Sequence, residues 1–319
     1  MEPPLLPLHP HLPGLLSSLG LRVVDALKWN VLACAPDDSV GAIPTVVLKF
    51  GTDKRKTESM EYERRIVSEI FPSIDQRFFE RLVLPEYISD GAHRDLRWML
   101  MKFIPGKTLI HSWSELSFKQ DLLGGKIVPL EVAAASVDVL RDLRSVDVAT
   151  LPAFVHRFDF PVWLDAFRIK SDAMVSLGLL ERDTVDRALA FFGAKAADRY
   201  QGTMFTNGDF YPRNFVMLDS GRVAVTDWVG GVDPWEFVAM YAWLLMWGNS
   251  RWQVEYVAQI KRHFPVDVNE MQAGLLVKSF EQAYRWREEP EESIGFARTQ
   301  MLAYFRQCLD AEYVREIFS

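Results

Sequence analysis

Residues 207–228 carry polar side chains whose types and spacing could bind a metal ion and accept a proton. The stretch reads NGDFYPRNFVMLDSGRVAVTDW and includes Asp209, Asn214 and Asp227. Carboxylate and amide oxygens are the ligands that hard cations prefer. A carboxylate beside such a cation can also act as a general base. The stretch therefore predicts a metal site with an adjacent base, and Asp209 lies in a Gly- and Pro-containing loop that could present it there.

The same stretch has the pattern of a β-hairpin. Two short apolar runs, Phe215–Leu218 and Val223–Thr226, flank the turn sequence Asp-Ser-Gly-Arg, in which the glycine can adopt a positive φ. A four-residue turn that closes symmetrically places Asn214 opposite Asp227. Because opposed residues on neighbouring strands lie about 5 Å apart, oxygens of both side chains could reach one cation. The structural alternative is that Asn and Asp are simply common turn residues.

A lysine and a glutamate upstream could complete a phosphate-binding site. The run TVVLKF predicts a strand over 45–50 with Lys49 near its end, and residues 54–70 predict a helix. Glu63 lies on the apolar face of that helix, which also carries Ile66, Val67 and Ile70. A carboxylate on a buried face needs a partner, and Lys49 is the candidate. Held there, the ammonium group would be a point charge for a phosphate; the simpler alternative is an exposed lysine at a strand end.

The predicted elements divide the chain into a β-rich part and a helical part. Predicted strands are 21–27, 31–35, 45–50, 82–87 and 96–103, with a turn at 89–94. Predicted helices are 131–146, 161–177, 184–200, 235–247, 251–263, 268–287 and 294–318, and Asp233 is the expected cap of the fourth. We therefore predict an α+β protein with a small β-rich N-terminal lobe, 1–103, and a larger helical C-terminal lobe, 104–319. The first lobe begins with a Pro-rich lead, 1–20, and the linker lies at about 102–106.

Composition and charge argue against several classes of function. Of the 319 residues, 49% are apolar and 25% are charged, as in ordinary globular proteins. Lys and Arg number 36 and Asp and Glu 43, so the net charge of −7 argues against nucleic-acid or anionic-membrane partners. Cys34 and Cys308 have no disulfide or zinc-site spacing, and no basic signal segment or membrane-spanning apolar run is present. We expect a cytoplasmic protein.

The order of these features resembles the protein-kinase-like fold, most closely its aminoglycoside phosphotransferase and choline kinase branch. In that family a His-Gly-Asp loop has Asn five residues after the Asp, and a second motif reads Ile-Asp-Trp. Here the loop reads NGDFYPRN from residue 207, and the second motif reads TDW from residue 226. The run LMKFIPGKTL from residue 100 is similar to the family's linker between lobes. The resemblance covers roughly residues 20–250.

The resemblance implies a kinase that uses ATP, or GTP in its place, together with Mg²⁺. Its γ-phosphate would go to a hydroxyl group of a small molecule, either aminoglycoside-like or another amino or hydroxy compound. The implied site residues are the catalytic base Asp209, the metal ligands Asn214 and Asp227, the phosphate contact Lys49 with its positioning partner Glu63, and the backbone of Lys102 and Ile104 for adenine. Such a site suits phosphoryl transfer, which depends on positioning and on neutralising charge.

Departures from the family pattern define the alternatives. Asn207 replaces the family's histidine, although an amide can still hydrogen-bond within the loop. No clear glycine-rich phosphate loop is found between residues 21 and 45, where DDSVG at 37–41 is too acidic to attract phosphate. One alternative is therefore a catalytically inactive, kinase-like nucleotide-binding protein. Another is a metal-dependent phosphohydrolase that uses the same carboxylates and gives Lys49 no role.

Several acceptors fit the sequence. Acidic residues of the predicted C-terminal helices could line a site for a cationic aminoglycoside: Glu255, Asp267, Glu270, Glu281, Glu288 and Glu289. Five tryptophans could include an aromatic box for a quaternary amine: Trp235, Trp243, Trp247, Trp252 and Trp286. The structural alternative for both sets is solvated charge and aromatic core, and a neutral sugar or macrolide hydroxyl is also open. We therefore expect a hydroxylated small molecule, with a cationic one as an option.

Overall fold

The N-terminal part of the structure is built around an antiparallel sheet, and helices make up most of the remainder. The computed structural model describes residues 9–28, 30–39, 43–108, 130–193, 200–290 and 295–319. Its strands are β1 (Leu21–Lys28), β2 (Val31–Pro36), β3 (Val46–Gly51), β4 (Leu82–Val83), β5 (Tyr87–His93), β6 (Leu96–Lys102), β7 (Lys107–Thr108), β8 (His156–Arg157), β9 (Met204–Phe205), β10 (Phe215–Met217), β11 (Val223–Val225) and β12 (Gly231–Asp233). The predicted α+β class is confirmed.

The described helices follow the predicted periodicity closely. They are α1 (Leu12–Leu19), α2 (Lys54–Arg65), α3 (Leu130–Arg144), α4 (Phe160–Ser176), α5 (Arg182–Gly193), α6 (Trp235–Leu245), α7 (Ser250–His263), α8 (Val268–Arg285), α9 (Phe296–Gln307) and α10 (Ala311–Ile317). The predicted helix over 54–70 continues beyond α2 as a wider, π-helical turn at Ile66–Ile70. The end of the predicted helix over 184–200 lies outside the described residues, since residues 194–199 are not described.

The five-stranded sheet has the order β1-β2-β3-β6-β5, and its two faces have different partners. On one face, Leu48 and Phe50 of β3 pack in a cluster with Leu12 and Leu15 of α1. Removing a leucine of this kind from water contributes about 1.5–3 kcal/mol. Because side chains alternate along a strand, Lys49 lies on the opposite face, which packs against α2. The pleat therefore aims Lys49 toward the helix that carries its predicted partner.

A bulge re-aims the end of β1. Ala26 pairs with Leu32, but the next pair is Lys28 with Val31, so Leu27 is an extra residue. Val31 in turn pairs with Lys49 on β3. Lys28, Val31 and Lys49 thus form one row across three strands, and paired residues of a row project from the same face. The bulge therefore puts Lys28 on the same side of the sheet as Lys49.

Two small sheets position the middle of the chain. The first has the order β4-β11-β10-β7 and contains the predicted hairpin. The second has the order β8-β12-β9 and holds the segment that follows the hairpin. Gly208 and Gly230 meet where these segments cross, since a Cβ built on Gly230 would lie 2.2 Å from the Gly208 nitrogen. Only glycine permits this backbone contact.

The helical core is centred on α6, which is buried on nearly all sides, as its sequence predicts. It packs against α8, where Gly274 allows close approach: a Cβ there would lie 2.9 Å from the Glu236 carbonyl oxygen. Among the residues that the structure describes, no helix is long and apolar enough to cross a bilayer. The helices thus form a packed core behind the hairpin.

Three local predictions were wrong. Asp233 does not cap α6, whose preceding residue is Pro234; its carboxylate instead pairs with Lys278 at 3.3 Å. The single predicted helix over 294–318 is two helices, because Asp310 caps α10 by accepting from the Glu312 backbone N–H. The predicted strand over 82–87 is shortened to the two residues of β4. The predicted turn over 89–94 lies mostly within β5, and the turn itself is marked by a positive φ of 56° at Arg94.

Candidate active site

The hairpin turn is one residue shorter than predicted. Leu218 donates from its backbone N–H to Arg222 O at 2.9 Å, so the loop contains three residues rather than four. Gly221 ends that loop with a φ of +78°, the left-handed conformation common in three-residue hairpin loops. The register shifts accordingly, and Phe215 pairs with Val225. The expected pairing of Asn214 with Asp227 is therefore wrong.

Asn214 lies opposite Thr226, and Asp227 follows one residue later. The Thr226 N–H donates to Asn214 O at 2.9 Å and closes the hairpin at its base. Asp227 then has a positive φ of 59°, which Asp tolerates better than most residues and which turns the chain out of the strand direction. Asn214 and Asp227 therefore remain neighbours at the base of the hairpin, although they are not a cross-strand pair.

Both oxygens of the Asp209 carboxylate are held by side-chain donors. The Asn214 amide donates to Asp209 Oδ2 at 2.7 Å and to the Asp209 carbonyl at 2.7 Å. The Tyr241 hydroxyl, from α6, donates to Asp209 Oδ1 at 2.5 Å. Gln282 of α8 donates in turn to the Tyr241 oxygen at 3.3 Å. The helical core thus fixes the orientation of the predicted base.

Asn207 braces the loop that carries Asp209. It is fully buried, and its amide nitrogen donates to Thr226 O at 3.0 Å and to Asp209 O at 3.3 Å. One amide therefore links the catalytic loop to the far strand of the hairpin. As expected from the sequence, the Asn207 amide hydrogen-bonds within the loop.

Lys49 makes the predicted contact with Glu63 and a second one with Asp227. Its ammonium lies 2.7 and 2.9 Å from the two Glu63 carboxylate oxygens and 2.8 Å from Asp227 Oδ1. Lys49 and Glu63 are 8% and 5% exposed. Burial disfavours the charge on Lys49, but the Asp227 and Glu63 carboxylates outweigh it and raise its pKa. Glu63 also accepts from the Trp228 backbone N–H at 3.2 Å, so it ties α2 to the residue after Asp227.

Lys28 is a site residue that the sequence reasoning missed. Its ammonium forms a short ion pair with Asp227 Oδ2, the oxygen that Lys49 leaves open. Burial opposes ionisation of Asp227, but the charges of Lys49 and Lys28 outweigh it and hold its pKa well below the usual range. A lone lysine at a strand end carries no signal of this contact in the sequence, because the contact depends on the β1 bulge.

Tyr241 was also missed, although it carries a sequence signal. It carries the hydroxyl of a helix that is apolar except for Glu236 and its two tryptophan N–H groups, and a buried hydroxyl normally finds a partner. Burial, and then the nearby Asp209 charge, raise its pKa well above the usual value. Its hydroxyl therefore stays protonated and remains a hydrogen-bond donor.

Two arginines interact electrostatically with Asp209 or with Tyr211, two residues after it. Arg213 is half-buried and donates to the Tyr211 hydroxyl at 3.2 Å. Burial lowers its pKa, while Tyr211, Asp209 and Asp227 act in the opposite direction. Arg285, at the end of α8, also acts electrostatically on Tyr211. The surroundings of Asp209 are therefore not uniformly acidic.

Residues Lys102 and Ile104 lie at and just beyond the end of β6. The Lys102 backbone N–H donates to Glu86 O at 2.9 Å, and its side chain pairs with the Glu86 carboxylate at 2.9 Å. Since a backbone N–H is a single donor, only the Lys102 carbonyl would be left for a nucleotide base. Ile104 lies two residues after the end of β6 and is partly exposed.

The tryptophans proposed for an aromatic box belong to the helical core. All five are between 1% and 8% exposed: Trp235, Trp243, Trp247, Trp252 and Trp286. Trp235 stacks on Phe264, and Trp252 on Tyr256. Two of the acidic candidates also have structural partners: Asp267 caps α8, and Glu281 accepts from Trp163 Nε1 at 3.0 Å. The aromatic box is thus not open to a ligand.

The side-chain oxygens at the base of the hairpin fit a metal ion that is bound together with nucleotide phosphates. Among the described residues, no cluster of three or more His, Cys, Asp or Glu side chains could hold a metal alone. Asp227 and Asn214 supply one carboxylate and one amide at the base of the hairpin. Mg²⁺ usually takes one or two protein carboxylates and completes its shell with phosphate and water. This oxygen set is compatible with Mg²⁺–nucleotide and not with a metal cage made of protein alone.

Comparison with known proteins identifies the family of this chain. The model of the phosphotransferase enzyme family matches residues 37–264, most of the chain. The chain belongs to this family. It is a small-molecule phosphotransferase, and the resemblance inferred from the loop and second motif is confirmed. The match includes Lys49, Glu63, the catalytic loop and Asp227, which are the residues that the structure brings together. No curated protein sequence is significantly similar to the chain.

Solved structures with the same fold are aminoglycoside and macrolide phosphotransferases. A thermostable mutant of aminoglycoside phosphotransferase APH(4)-Ia is 18% identical, with a TM-score of 0.59 over 92% of this chain and 97% of that one. The GDP complex of aminoglycoside 2'-phosphotransferase-IIIa is 11% identical, with a TM-score of 0.60 and 97% coverage of both chains. Macrolide 2'-phosphotransferase MphH from Brachybacterium faecium is 16% identical, with a TM-score of 0.54 over 92% and 97%. At these identities the likeness establishes the protein-kinase-like fold.

Proposed function

We propose that the protein transfers the γ-phosphate of ATP, or of GTP, to a hydroxyl group of a small molecule, with Mg²⁺ as cofactor. The observation that carries this proposal is the convergence of two groups of residues. Lys49, from the N-terminal part, pairs with Glu63 at 2.7 Å and reaches Asp227 at 2.8 Å. Asn214 and Asp209 lie together at the base of the hairpin. Phosphoryl transfer needs this combination of charge neutralisation and positioning.

Asp209 is the proposed base. The acceptor oxygen would form a bond to the γ-phosphorus while the bond from that phosphorus to the bridging oxygen of ADP breaks. The electron pair of the broken bond stays on ADP, and the acceptor proton goes to the Asp209 carboxylate. Tyr241 and Asn214 hold the two carboxylate oxygens, so Asp209 is oriented before the acceptor binds.

The remaining site residues have binding roles in this proposal. Asn214 and Asp227 would hold Mg²⁺, which would neutralise phosphate charge. Lys49 would contact the α- and β-phosphates while Glu63 keeps its ammonium in place. The Lys102 carbonyl and the Ile104 N–H would bind the adenine edge, at the linker that we propose between lobes 1–103 and 104–319.

Support for the proposed acceptor class comes from the family and not from one residue. Structures of the same fold hold hygromycin B with ADP or AMP-PNP, and gentamicin. For this chain we propose a hydroxylated small molecule, with aminoglycosides and macrolides as the first classes to test. Cys34 and Cys308 are buried and unbridged, which suits the reducing cytoplasm where we expect the reaction.

The test is nucleotide consumption against a panel of aminoglycosides, macrolides, choline-type amines and sugars, with ATP and GTP in parallel. Asp209→Asn should abolish transfer and leave nucleotide affinity within a few-fold, because the base does not bind the nucleotide. Asp227→Ala should weaken binding of the Mg²⁺–nucleotide itself. Asp219→Asn, an exposed carboxylate in the hairpin loop, is the matched control and should change neither property.

Two outcomes would contradict the proposal. Turnover retained in Asp209→Asn would remove the base, and unchanged Mg²⁺–nucleotide binding in Asp227→Ala would remove the metal ligand. The second candidate is an inactive nucleotide-binding protein, which the missing glycine-rich loop favours. It predicts tight nucleotide binding with no phosphate transferred to any member of the panel. The phosphohydrolase alternative predicts phosphate release without an acceptor and no effect of Lys49→Met.

A further inference from the structure

Lys28 is placed where a nucleotide-binding loop would be expected to lie. It is the last residue of β1, directly before the turn that leads to β2. Its ammonium nevertheless reaches across to the helical part of the molecule and pairs with Asp227. Residues 28 and 227 are thus joined at the point where phosphates and metal would meet under the proposed function.

The placement of Lys28 is built into the sheet. The β1 bulge at Leu27 aligns Lys28 with Val31 and Lys49 in one cross-strand row. Bulges next to active sites commonly re-aim a side chain in this way. The two lysines of this row contact different oxygens of the Asp227 carboxylate. Lys49 contacts Oδ1 and Lys28 contacts Oδ2.

The two lysines differ in their other contacts. Lys49 has the buried Glu63 as a second carboxylate, so its position is fixed without Asp227. For Lys28, Asp227 is the single acidic partner among the described residues, and the Lys28 side chain is 41% exposed. A flexible four-carbon stem with a hydrated ammonium can exchange one anionic partner for another at little cost. Of the two lysine ammonium groups, that of Lys28 is therefore the more easily displaced from Asp227.

We propose that Lys28 supplies the phosphate-binding group of the β1–β2 turn, in the role that a glycine-rich loop has elsewhere. Without nucleotide, its ammonium occupies the cation position at Asp227 Oδ2. When the nucleotide binds, the ammonium moves to the β- and γ-phosphate oxygens, and Asp227 Oδ2 becomes free for the metal. This inference rests on the proposed nucleotide-binding function and assigns a phosphate contact within it.

The exchange predicts opposite effects of Lys28→Met on nucleotide and on metal. Binding of Mg²⁺–ATP should weaken about tenfold, the effect expected from losing one charge-assisted contact. Binding of adenosine should not change, because adenosine has no phosphate. Binding of Mn²⁺ alone, followed by electron paramagnetic resonance, should become tighter by about threefold or more, because the competing ammonium is gone. Lys28→Arg should recover most of the Mg²⁺–ATP affinity.

A matched control removes a lysine of the same N-terminal part. Lys54 on α2 is 90% exposed and pairs only loosely with Glu58 at 3.8 Å. Lys54→Met should leave nucleotide, adenosine and Mn²⁺ binding unchanged. It therefore separates the position of Lys28 from a general loss of positive charge.

The outcomes separate this inference from the proposed function. Unchanged Mg²⁺–ATP binding in Lys28→Met, with normal binding by the unmodified protein, overturns the Lys28 assignment alone. An equal loss for adenosine and ATP, or weaker Mn²⁺ binding, also overturns it, because that pattern indicates a structural role. If the unmodified protein binds no Mg²⁺–nucleotide at all, the proposed function fails instead. Thermal unfolding of Lys54→Met should match the unmodified protein, since exposed ion pairs contribute little to stability. Lys28→Met should remain folded, because Lys49 still pairs with Asp227.

Discussion

Replacing Tyr241 by Phe tests how the helical core controls the proposed base. The Tyr241 hydroxyl donates to Asp209 Oδ1 at 2.5 Å, and Gln282 donates to the same hydroxyl at 3.3 Å. The substitution removes one oxygen and keeps the ring, which packs edge-to-face with Tyr211 at a centroid distance of 6.1 Å. The expected change is therefore confined to the hydrogen bonds.

The magnitude follows from two opposing effects. A hydrogen bond to a charged group contributes about 1.5–3 kcal/mol, so Tyr241→Phe should lower the free energy of unfolding by that amount. Loss of the donor also leaves one Asp209 carboxylate oxygen without its hydrogen bond and free to accept the acceptor proton, which would favour transfer. However, the catalytic gain in phosphoryl transfer comes mainly from positioning, so the lost orientation should dominate. We expect kcat to fall about 10- to 100-fold, which corresponds to about 1.4–2.7 kcal/mol.

The assay combines steady-state kinetics on an acceptor identified by the panel with nucleotide titration and urea unfolding. Nucleotide affinity should stay within about twofold, because Tyr241 contacts Asp209 and not Asp227 or Lys49. Tyr256→Phe is the matched control. Tyr256 is fully buried, and its hydroxyl donates to Ala239 O at 3.2 Å, away from the site. It should lose about 1 kcal/mol of stability with no change in kcat.

One result would refute this reasoning. If Tyr241→Phe is destabilised as expected but keeps kcat within twofold of Tyr256→Phe, the hydroxyl has only a structural role. Orientation of Asp209 by α6 would then not contribute to catalysis.

Two further predictions concern stability. Burial raises the pKa of Glu236 from 4.5 to about 7, so the folded state keeps a proton that the unfolded state releases between those pH values, and stability should fall as pH rises through this window. Glu236→Gln should remove this pH dependence and be more stable than the unmodified protein at pH 8 by on the order of 3 kcal/mol. The measurement is urea unfolding at pH 5 and pH 8. An equal gain in stability at both pH values would contradict the prediction. Asp142 is 5% exposed and accepts from the backbone N–H groups of Glu80, Arg81 and Leu82 at 3.0, 2.8 and 2.7 Å. Asp142→Asn should lose about 3 kcal/mol of stability in thermal unfolding, and a loss below about 1 kcal/mol would mean that these hydrogen bonds are replaced.

The sequence predicts those parts of the site that depend on periodicity. Glu63 falls on the apolar face of its helix, and Lys49 alternates with Leu48 and Phe50 on its strand. Those two patterns are sufficient to bring Lys49 and Glu63 together, because α2 packs on the sheet face opposite Leu48. The contact is local in origin, since only 14 residues separate its partners.

The register of the hairpin depends on a detail that composition does not contain. The sequence Asp-Ser-Gly-Arg is compatible with a three-residue loop and with a four-residue loop. The choice is made by the positive φ at Gly221, and it moves every pair by one residue. Asn214 and Asp227 remain neighbours, because both flank the hairpin and a shift of one position leaves them near its base.

Lys28 carries no local signal in the sequence, and the local signal of Tyr241, a hydroxyl in a buried helix, does not identify its partner. Lys28 reaches Asp227 because a bulge at Leu27 changes its pairing, and nothing in the residues around position 27 signals that bulge. Tyr241 reaches Asp209 because α6 is buried against the catalytic loop, and a helix that is apolar on all sides does not indicate which side faces the site. Both contacts depend on tertiary packing across more than 30 residues.

The charges near Asp209 and the net charge of the whole chain favour different classes of acceptor. The net charge of −7 favours a cationic acceptor, yet Arg213 interacts electrostatically with Asp209, and both Arg213 and Arg285 act on Tyr211. Among the acidic candidates of the C-terminal helices, Asp267 caps a helix and Glu281 pairs with Lys278. Those carboxylates are already neutralised or occupied by the fold. The acceptor panel should therefore weight neutral hydroxylated compounds and aminoglycosides equally.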